Sequence, residues 1–575
     1  MDVHQIAEIF FETAEFLEMK GENPFKVRAY DKAARVIDGL AKPVEYYAEK
    51  GELESIPGIG KSIAEKITEI LKTGKCRYHE DLKKEFPPAI LTLMNIQGLG
   101  PKKAYVLYKE MKIGSVEELE KAAREGKLRD LKGFGRKTEE NILKGIEMAK
   151  SQGGRLLIGT ALPMAEEIIA HLKKLPEVRA ISEAGSLRRR RETIGDIDIL
   201  VASSESKPIM EAFVRLPIVK EILAKGDTKA SVLTAENLQV DLRVVSPESY
   251  GAALQYFTGS KEHNIKLRTM AEAMGYKINE YGVFRVKDNK KIAGETEESV
   301  YKVLGLQMIP PEIRESGEEI KAAQKGEIPR LVAMEDIKGD LHVHSHWSDG
   351  VNTFEELAGQ AQSMGYEYIG LSDHSQSLKV AKGLTPERMK KQGKEIDELN
   401  KKFKNFTILK GVELDILPDG KLDFEDELLE KLDVVTASVH SNFKQDKKTI
   451  TGRLCSACKN PNVDIIGHPS GRIMGQRDGY EVDWDEFLKT AARTETAVEI
   501  NSFPERLDLR DTYCKELKDM GGKVTINTDA HNVHHFAWMK FGVSVARRGW
   551  LEDKDVLNTY SKDKLLKWLK SRKEK

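Results

Sequence analysis

Residues 185–200 read G-S-L-R-R-R-R-E-T-I-G-D-I-D-I-L, and the end of this stretch predicts a β-strand. Asp196 and Asp198 alternate with two isoleucines, so both carboxylates point to one face of the strand. Two acids on one face repel each other unless a cation lies between them, and Mg²⁺ or Mn²⁺ prefers such oxygen ligands. Residues 238–245 alternate in the same way and add a third acid, Asp241.

Gly185, Ser186 and the arginines at 188–191 come just before these acids. Glycine permits close approach of the backbone, and hydroxyl and guanidinium groups can bind phosphate oxygens. An isolated Asp-x-Asp pair is more often part of a solvated strand face. With the glycine, the serine and the arginines in this order, the pattern favours nucleotidyl transfer on a phosphate-bearing substrate.

Residues 185–198 resemble the nucleotidyltransferase signature of family X DNA polymerases, although Arg190 stands where that family usually has a small residue. Residues 256–268 resemble the family's nucleotide-binding region. The resemblance implies a palm domain in which Mg²⁺ or Mn²⁺ is held by three acids, Asp196, Asp198 and Asp241. It also implies that a deoxynucleoside triphosphate (dNTP) is bound by Gly185, Ser186, Arg189, Tyr256, Phe257, Gly259, Asn264 and Arg268.

Length and composition limit the class of protein. With 575 residues the chain is too long for one core, and roughly three to five domains are expected. A net charge of −1 provides no overall basic field, so contacts with DNA must come from local patches. Four cysteines indicate a reducing compartment. The N-terminus lacks signal-peptide features and no apolar run could span a bilayer, so we expect a soluble cytoplasmic protein.

Residues 1–153 have the apolar spacing of helices and contain a loose repeat. A Gly-apolar-Gly turn occurs at 56–60, 96–100 and 131–135, with basic residues nearby: Lys61, Lys102, Lys103, Arg136 and Lys137. Such a turn at the start of a helix aims backbone N–H groups at an anion. One copy would indicate a simple connecting turn. Three copies favour helix-hairpin-helix motifs that bind DNA phosphates without reading the base sequence.

Residues 23–67 also resemble the amino-terminal lyase domain of DNA polymerase beta. The resemblance places Lys66 at the Schiff-base lysine, and Lys26 and Tyr30 at positions that help to bind a 5′-phosphate. A lysine near a helix end and other cations can lose its proton and attack a sugar aldehyde. The alternative, that Lys66 contacts only phosphate or solvent, remains open.

Nine of the thirteen histidines follow Gly339, and most of them come directly after short apolar runs. These runs alternate with helix-like segments, which predicts β/α units with polar residues at the strand ends, where barrel enzymes place their chemistry. A single histidine at a strand end is usually structural. Six such histidines together with three carboxylates predict a metal cluster, because mixed ligands of this kind suit Zn²⁺ or Mn²⁺.

The order of these residues resembles the polymerase and histidinol phosphatase (PHP) domain. The resemblance implies a distorted (β/α)7 barrel with a three-metal cluster of Zn²⁺ and/or Mn²⁺. It assigns as ligands His342, His344, Asp349, His374, Glu413, His440, His468, Asp529 and His531. His346, His534 and His535 fall outside the pattern. Beside a polymerase, the implied activity is a 3′–5′ exonuclease, with cleavage at abasic sites or removal of 3′-phosphates as additional activities.

These observations predict a multidomain protein. Its fold class combines an all-α helix-hairpin-helix region, an α+β nucleotidyltransferase palm with a small thumb-like domain, and the PHP barrel. The predicted domains are 1–88, a lyase-like domain with the first hairpin; 89–153, with two further hairpins; 154–245, the palm; 246–315, a nucleotide-selecting domain; 316–338, a linker; and 339–575, the barrel.

The predicted function is template-directed filling of short gaps, as in base excision repair, by a monomer that binds dNTPs and gapped or nicked DNA. Two alternatives remain. One is a phosphoesterase that keeps the palm only as a scaffold for docking DNA, and the intact palm acids argue against it. The other is a non-catalytic DNA-binding module, which does not account for the metal-type ligands.

Overall fold

The computed structural model describes residues 3–38, 40, 44–56, 58–86, 90, 93, 96, 99–129, 131, 133–136, 138–140, 142, 143, 146 and 155–574. Outside these ranges lie five residues of the predicted hairpins, Pro57, Gln97, Gly98, Lys132 and Lys137, and the boundary residues 88, 89, 153 and 154. Among the described helices, none combines the length and the apolar character that crossing a membrane requires.

The described residues before 155 form helices and no strand. The helices are Val3–Met19, Pro24–Asp38, Val44–Glu49, Lys61–Thr73, Arg77–Lys84, Pro101–Met111 and Val116–Arg124, with a 3-10 turn at Leu53–Ser55. Helix Lys61–Thr73 begins after Gly60 and ends at Gly74, whose left-handed backbone suits glycine. Apolar residues of these helices share one hydrophobic core.

The palm contains strands β1 to β7: Leu156–Leu157, Ala180–Glu183, Thr193–Ile194, Asp196–Ala202, Val219–Lys225, Lys229–Thr234 and Gln239–Val245. Its helices are Ile158–Leu172, Gly185–Arg188 and Ser206–Phe213. Five strands form a sheet in the order β2-β4-β7-β6-β5, while β1 pairs with β3. Strands β4 and β7 are adjacent and parallel, so their carboxylates meet at one edge. Apolar residues of both strands join a hydrophobic cluster that continues into the barrel.

The small domain has a three-stranded antiparallel sheet in the order β10-β9-β8. Its strands β8 to β10 are Tyr276–Asn279, Gly282–Arg285 and Lys291–Ala293. Its helices are Tyr250–Thr258, Lys261–Ala273 and Glu297–Val303, with 3-10 turns at Pro247–Ser249 and Pro311–Ile313. The segment predicted as a linker contains helix Glu318–Lys325, and its Ile320 and Leu331 pack in the core of the small domain.

The rest of the chain is a β/α barrel. Strands β11 to β18 are Gly339–Val343, Tyr368–Leu371, Thr407–Leu409, Gly411–Asp415, Val434–Ser438, Ile465–Ile466, Ala497–Asn501 and Val524–Asn527. The helices are Phe354–Ser363, Pro386–Asn400, Asp426–Leu429, Lys447–Lys459, Trp484–Thr494, Asp511–Asp519, Met539–Arg548 and Lys562–Lys573. Shorter 3-10 turns lie at Met334–Asp336, Lys379–Ala381, Val533–Trp538, Asp553–Asp555 and Leu557–Thr559.

All strand pairs of the barrel are parallel, and two backbone bridges close the ring. Val343 pairs with Ala530 beyond β18, and His374 beyond β12 pairs with Glu413 in β14. Strands β13 and β14 follow each other directly, so together they take one place in a ring of seven. The predicted distorted (β/α)7 fold is confirmed. Its carboxyl strand ends converge at one face, where enzymes of this architecture carry their active sites.

Candidate active sites

The three predicted acids of the palm lie on two adjacent parallel strands. Asp198 of β4 is the register partner of Asp241 of β7, and Asp196 precedes it on the same strand. Burial, and then the charges of Asp196 and Asp241, raise the pKa of Asp198 to about 7. A carboxylate that is costly to ionise beside other carboxylates is stabilised by a cation, so this edge of the sheet fits divalent metal ions.

Lys229, which is not among the predicted site residues, is a neighbour of these acids. Its Nζ lies 2.6 Å from Asp241 Oδ2, and Gln239 Nε2 donates to Asp241 Oδ1 at 2.8 Å. Although burial opposes it, these contacts lower the pKa of Asp241. The lysine comes from β6, which meets β7 only in the folded sheet, so no local pattern marks it.

Gly185 packs against the Asp198 carboxylate. Its φ is +60°, and a Cβ at this position would stand 2.3 Å from Asp198 Oδ2. The adjacent Ala184 N–H donates to Asp198 O at 2.7 Å, which holds the turn against the strand. Both the backbone conformation and the close approach therefore require glycine. Ser186 follows it, partly buried, in the short helix Gly185–Arg188.

Arg188 and Arg189 are held by acids of the small domain. Arg188 NH2 lies 2.6 Å from Glu297 Oε2, and Arg189 Nε lies 3.1 Å from Glu315 Oε1. Arg189 NH1 also donates to Thr258 O at 2.5 Å. Since protein groups hold its guanidinium here, binding of the leaving phosphates by Arg189 stays a prediction.

Phe257, one of the two predicted nucleotide-contacting aromatic residues, lies beside the acids. Phe257 lines one small cleft together with Asp198 and Asp241. The ring centroids of Phe257 and Tyr256 are 5.1 Å apart, and the Arg243 guanidinium lies 4.6 Å from the Phe257 ring. The structure thus brings Phe257 and two of the acids to a single surface.

The other predicted nucleotide contacts come from the start of the next helix. Asn264 Nδ2 donates to Tyr256 O at 2.7 Å, which fixes the two helices against each other. Gly259 lies between them with a left-handed φ of +72°. Arg268 is exposed on helix Lys261–Ala273.

The nine predicted metal ligands of the barrel gather at the carboxyl ends of its strands. Ligand atoms lie within 4.8 Å of one another in three groups: His344, Asp349, His374 and His531; His342, His344 and Asp529; and His374, Glu413 and His440. The ninth residue, His468, places Nε2 at 2.8 Å from Glu413 Oε1. Two histidines belong to two groups each, so the groups form one connected centre.

Glu413 lies in the middle of this centre. Its Oε2 is 2.9 Å from His374 Nδ1 and 3.5 Å from His342 Nε2, and its Oε1 is 3.2 Å from His440 Nε2. Although burial opposes it, the charges of His440 and His342 hold the pKa of Glu413 well below its usual range. The carboxylate is therefore ionised and able to act as a metal ligand at neutral pH.

Several imidazole nitrogens of the centre are buried without a hydrogen bond of good geometry, although carboxylate oxygens lie close to some of them. They are His342 Nε2, both ring nitrogens of His344, His374 Nδ1 and His468 Nδ1. Buried polar atoms nearly always have partners, so these nitrogens point to a ligand. Burial, and then the charges of His531 and His374, lower the pKa of His344 to about 4, which makes it neutral at pH 7. Although burial opposes it, the charge of Glu413 raises the pKa of His374 to about 10 and that of His440 to about 9, so these rings hold protons that a bound cation would replace. The donor set thus fits divalent metal ions.

Two further carboxylates orient histidines of the centre. His342 Nδ1 donates to Glu499 Oε1 at 2.7 Å, and His440 Nδ1 donates to Asp415 Oδ1 at 2.6 Å. Such a bond fixes the tautomer and turns the other ring nitrogen toward a metal. Neither carboxylate is among the nine predicted ligands. The position of Glu499 between apolar residues of β17 was a usable signal.

The predicted lyase residues also lie near one another. Lys66 Nζ is 5.3 Å from the Tyr78 ring centroid and 5.9 Å from that of Tyr30, and Lys26 Nζ lies 5.4 Å from the Tyr78 ring. Lys66 Nζ also donates to Ser62 Oγ at 3.0 Å. The structure thus brings two amines and two aromatic rings together in the helical region, with the Tyr30 ring buried.

Comparisons with known proteins agree with this architecture. Four family models match: Helix-hairpin-helix domain (1–76), SAM-like Helix-hairpin-helix tandem (90–148), DNA polymerase beta thumb (253–315) and PHP domain (340–503). Over 550 residues, which are 95% of this chain and 96% of the relative, the chain is 44% identical to "DNA polymerase/3'-5' exonuclease PolX" of Bacillus subtilis (strain 168). The chain belongs to the family X DNA polymerases that carry a PHP domain.

More distant relatives match one part of this family X chain. DNA polymerase lambda of Rattus norvegicus is 26% identical over 321 residues, which are 51% of this chain and 52% of that protein. A probable phosphatase of Thermoanaerobacter sp. (strain X514) is 31% identical over 247 residues, which are 41% of this chain and 96% of that protein. The predicted family resemblance is confirmed. A family X polymerase uses DNA, dNTPs and divalent metal ions, which these sites therefore have to accommodate.

Proposed function

We propose that this chain is a DNA repair polymerase that fills short gaps by template-directed nucleotidyl transfer, and that its barrel is a 3′–5′ exonuclease. The observation that carries the proposal is the presence of two separate acid-rich centres. One is built from Asp196, Asp198 and Asp241, and the other is the nine-residue centre around Glu413. The similarity to a polymerase with exonuclease activity along 95% of the chain supports this division. We assign the two activities to the domains predicted at 154–315 and 339–575.

In the polymerase reaction, the primer 3′-oxygen forms a bond to the α-phosphorus of the dNTP, and the bond from that phosphorus to the leaving pyrophosphate breaks. Asp241 would lie beside the primer 3′-hydroxyl and help to accept its proton. Gly185 and Ser186 would approach the leaving phosphates, and Arg189 would exchange its contact with Glu315 for them. Tyr256 and Phe257 would lie along the sugar of the nucleotide.

In the nuclease reaction, water attacks the terminal phosphodiester. A bond forms between phosphorus and the water oxygen, the bond to the 3′-oxygen of the preceding nucleotide breaks, and a nucleoside 5′-monophosphate leaves. Within the barrel, Glu499 and Asp415 would keep His342 and His440 in the tautomers that face the reaction centre. His344, which is neutral at pH 7, would offer an unprotonated ring nitrogen as a metal ligand.

We propose a type of metal ion for each centre from its donor atoms. The oxygen-only ligands of the palm suit Mg²⁺ or Mn²⁺, and the mixed histidine and carboxylate centre suits a cluster of three Zn²⁺ and/or Mn²⁺ ions. Bound there, such ions polarise the phosphate and stabilise charge on the attacking and leaving oxygens.

We further propose that the protein acts as a cytoplasmic monomer on gapped or nicked DNA in base excision repair. The helix-hairpin-helix turns would hold the DNA by its phosphates, because helices Lys61–Thr73 and Pro101–Met111 begin directly after Gly60 and Gly100, where backbone N–H groups can bind an anion. We also propose three further activities of the protein: cleavage at abasic sites, removal of 3′-phosphates and a lyase reaction at Lys66. The grouping of Lys26, Tyr30 and Lys66 around Tyr78 supports the lyase.

A crossed experiment tests the division of labour. Wild type, an Asp196→Ala/Asp198→Ala double variant and His344→Ala receive gapped DNA with a labelled primer, dNTPs and Mn²⁺. The double variant is expected to lose primer extension and keep primer shortening. His344→Ala is expected to lose primer shortening and keep primer extension. Extension by the double variant would refute the palm assignment. Loss of extension alone in His344→Ala would refute the barrel assignment.

A further inference from the structure

Arg188 and Arg189 follow each other in one turn of the palm, but the small domain holds them differently. Arg188 donates to both carboxylate oxygens of Glu297, at 3.0 and 2.6 Å, and the Glu297 side chain is only 6% exposed. Arg189 donates from Nε to Glu315 Oε1 at 3.1 Å, and the Glu315 side chain is 30% exposed. Breaking a buried bidentate pair costs more than breaking a single contact near solvent. Arg189 is therefore the arginine of this turn that can exchange its acid for another anion.

The guanidinium of Arg189 lies beside residues that are predicted to contact the nucleotide. A Cβ at Gly259 would stand 3.1 Å from Arg189 NH1. The Arg189 backbone N–H donates to Gly185 O at 3.3 Å, and Gly185 packs against Asp198. Both phosphate and carboxylate oxygens match the geometry of a guanidinium. The phosphates of a bound dNTP and the carboxylate of Glu315 would therefore be alternative partners of Arg189.

The barrel supplies a second cation to Glu315. Arg548, at the end of helix Met539–Arg548, places NH1 3.0 Å from the same Glu315 Oε1 that Arg189 contacts. That NH1 also donates to Arg189 O at 2.8 Å, and Arg548 Nε donates to Asp511 Oδ2 at 2.8 Å. Although burial opposes it, the charges of Arg189 and Arg548 lower the pKa of Glu315, so its carboxylate is ionised at pH 7. Glu315 thus keeps a cationic partner when Arg189 leaves.

We propose that Arg548 is a positioning residue for nucleotide addition, which pairs with Glu315 and so releases Arg189 to the phosphates of the incoming dNTP. The inference rests on the proposed binding of the leaving phosphates by Arg189. Without Arg548, Glu315 has one cation fewer and holds Arg189 more strongly. Without the charge of Glu315, the dNTP no longer competes with this carboxylate for Arg189. The two residues therefore act in opposite directions on one equilibrium, and a barrel side chain sets the dNTP affinity of the palm.

The first test measures kcat and KM for dNTP in primer extension on gapped DNA with Mn²⁺. Arg548→Met, a neutral side chain, is expected to raise KM roughly 2- to 30-fold, within the range of coupling between residues in contact. Arg548→Lys, which keeps the charge, is expected to recover part of this loss. Glu315→Gln is expected to lower KM, because Arg189 is then free to bind phosphate. An unchanged KM in Arg548→Met, or a higher KM in Glu315→Gln, overturns the proposal.

Combining the two changes tests whether Arg548 acts through Glu315. In the Glu315→Gln protein, Arg548→Met is expected to have no further effect on KM, because the charge that held Arg189 is already gone. An undiminished rise of KM in this double variant overturns the proposal. Primer shortening by every variant checks that the barrel is folded. Should Arg548→Met fail to fold, the sign of the KM change in Glu315→Gln still decides.

Arg547→Met is the matched control for docking of the barrel. Arg547 precedes Arg548 on the same helix and places Nε 2.7 Å from Glu312 Oε1, so it joins the barrel to the small domain at a neighbouring point. The KM of Arg547→Met is expected to equal that of wild type. Equal rises of KM in Arg547→Met and Arg548→Met would attribute the effect to docking and overturn the role of the Glu315 charge.

Inorganic pyrophosphate gives a readout of phosphate binding without a base or sugar. Its inhibition constant for primer extension is expected to rise in Arg548→Met and to fall in Glu315→Gln, in parallel with KM. Arg189→Ala separates this inference from the proposed function. If Arg189→Ala keeps the KM and the pyrophosphate inhibition of wild type, the assignment of Arg189 to phosphates fails, and the role of Arg548 with it. If Arg189→Ala weakens both while Arg548→Met changes neither, only the positioning role fails.

Discussion

Arg472 of the barrel and Glu192 of the palm form an ion pair, with Arg472 NH2 at 2.5 Å from Glu192 Oε1. The arginine side chain is only 5% exposed, and its Nε donates to Arg506 O at 2.7 Å. One guanidinium therefore contacts both the loop that precedes Asp196 and the loop that carries Arg506. This contact, together with those of Arg548 with Arg189 O and of Lys540 with Glu166, joins the two proposed active sites.

Glu192→Gln is expected to destabilise the contact between palm and barrel by about 1–3 kcal/mol, because a buried guanidinium then lacks its charged partner. The change is measured as a lower thermal midpoint. Glu166→Gln is the matched control, since the pair of Glu166 and Lys540 also joins palm and barrel but is largely exposed. Glu166→Gln is expected to destabilise the contact between palm and barrel by only about 0–1 kcal/mol. If Glu192→Gln and Glu166→Gln lowered the thermal midpoint equally, burial of the Arg472–Glu192 pair would not strengthen its contribution to stability.

Gly185→Ala is expected to reduce primer extension about 100-fold, because small displacements of reacting groups have effects of this size. The added Cβ would meet Asp198 Oδ2 and would also force a left-handed alanine. Primer shortening by the barrel is expected to persist. Gly452→Ala serves as the control, because its Cβ would meet nothing within 4 Å. An active Gly185→Ala polymerase would show that the turn can move away from the acids.

Glu499→Gln is expected to weaken Mn²⁺ binding by the barrel about 10- to 100-fold, because its carboxylate fixes the tautomer of His342. The affinity is measured by titration in protein whose palm carries Asp196→Ala and Asp198→Ala. Glu481→Gln, an exposed residue of the same domain, is the control. Unchanged affinity in Glu499→Gln would mean that His342 is oriented by other contacts.

His263 gives the small domain a pH-dependent stability. It is buried, with Nδ1 at 2.7 Å from Glu319 Oε1 and Nε2 at 2.9 Å from Tyr301 Oη, and burial lowers its pKa. The unfolded chain therefore binds the proton more readily than the folded domain. The contribution of uncharged His263 to the stability of the small domain is fully present above about pH 6.5. It is lost as the pH falls through the lowered pKa of His263 in the folded domain.

The measurement compares thermal midpoints of wild type and His263→Gln from about pH 8 down to about pH 5. Wild type is expected to lose more stability on acidification than the variant does. His171→Gln is the control, since His171 is exposed. Parallel curves for wild type and His263→Gln would contradict the prediction.

Local patterns predicted much of this molecule, because strand alternation and the order of histidines are properties of short segments. The acids of β4 and the centre around Glu413 follow from such patterns. Lys229 does not, since it reaches Asp241 only through pairing of β6 with β7. Arg190 takes a left-handed φ of +55°, which its residue type does not suggest. Contacts between distant segments cannot be read from neighbours in the sequence.

The lyase proposal depends on the reactivity of Lys66 as an amine. Borohydride is expected to trap a covalent adduct between wild type and DNA with a 5′-deoxyribose-phosphate, because reduction converts the Schiff base into a stable secondary amine. Lys66→Ala is expected to lose the adduct. Lys72→Ala, on the same helix Lys61–Thr73, is expected to keep it. An undiminished adduct in Lys66→Ala would move the nucleophile to another amine, and no adduct in wild type would leave Lys66 as a phosphate contact.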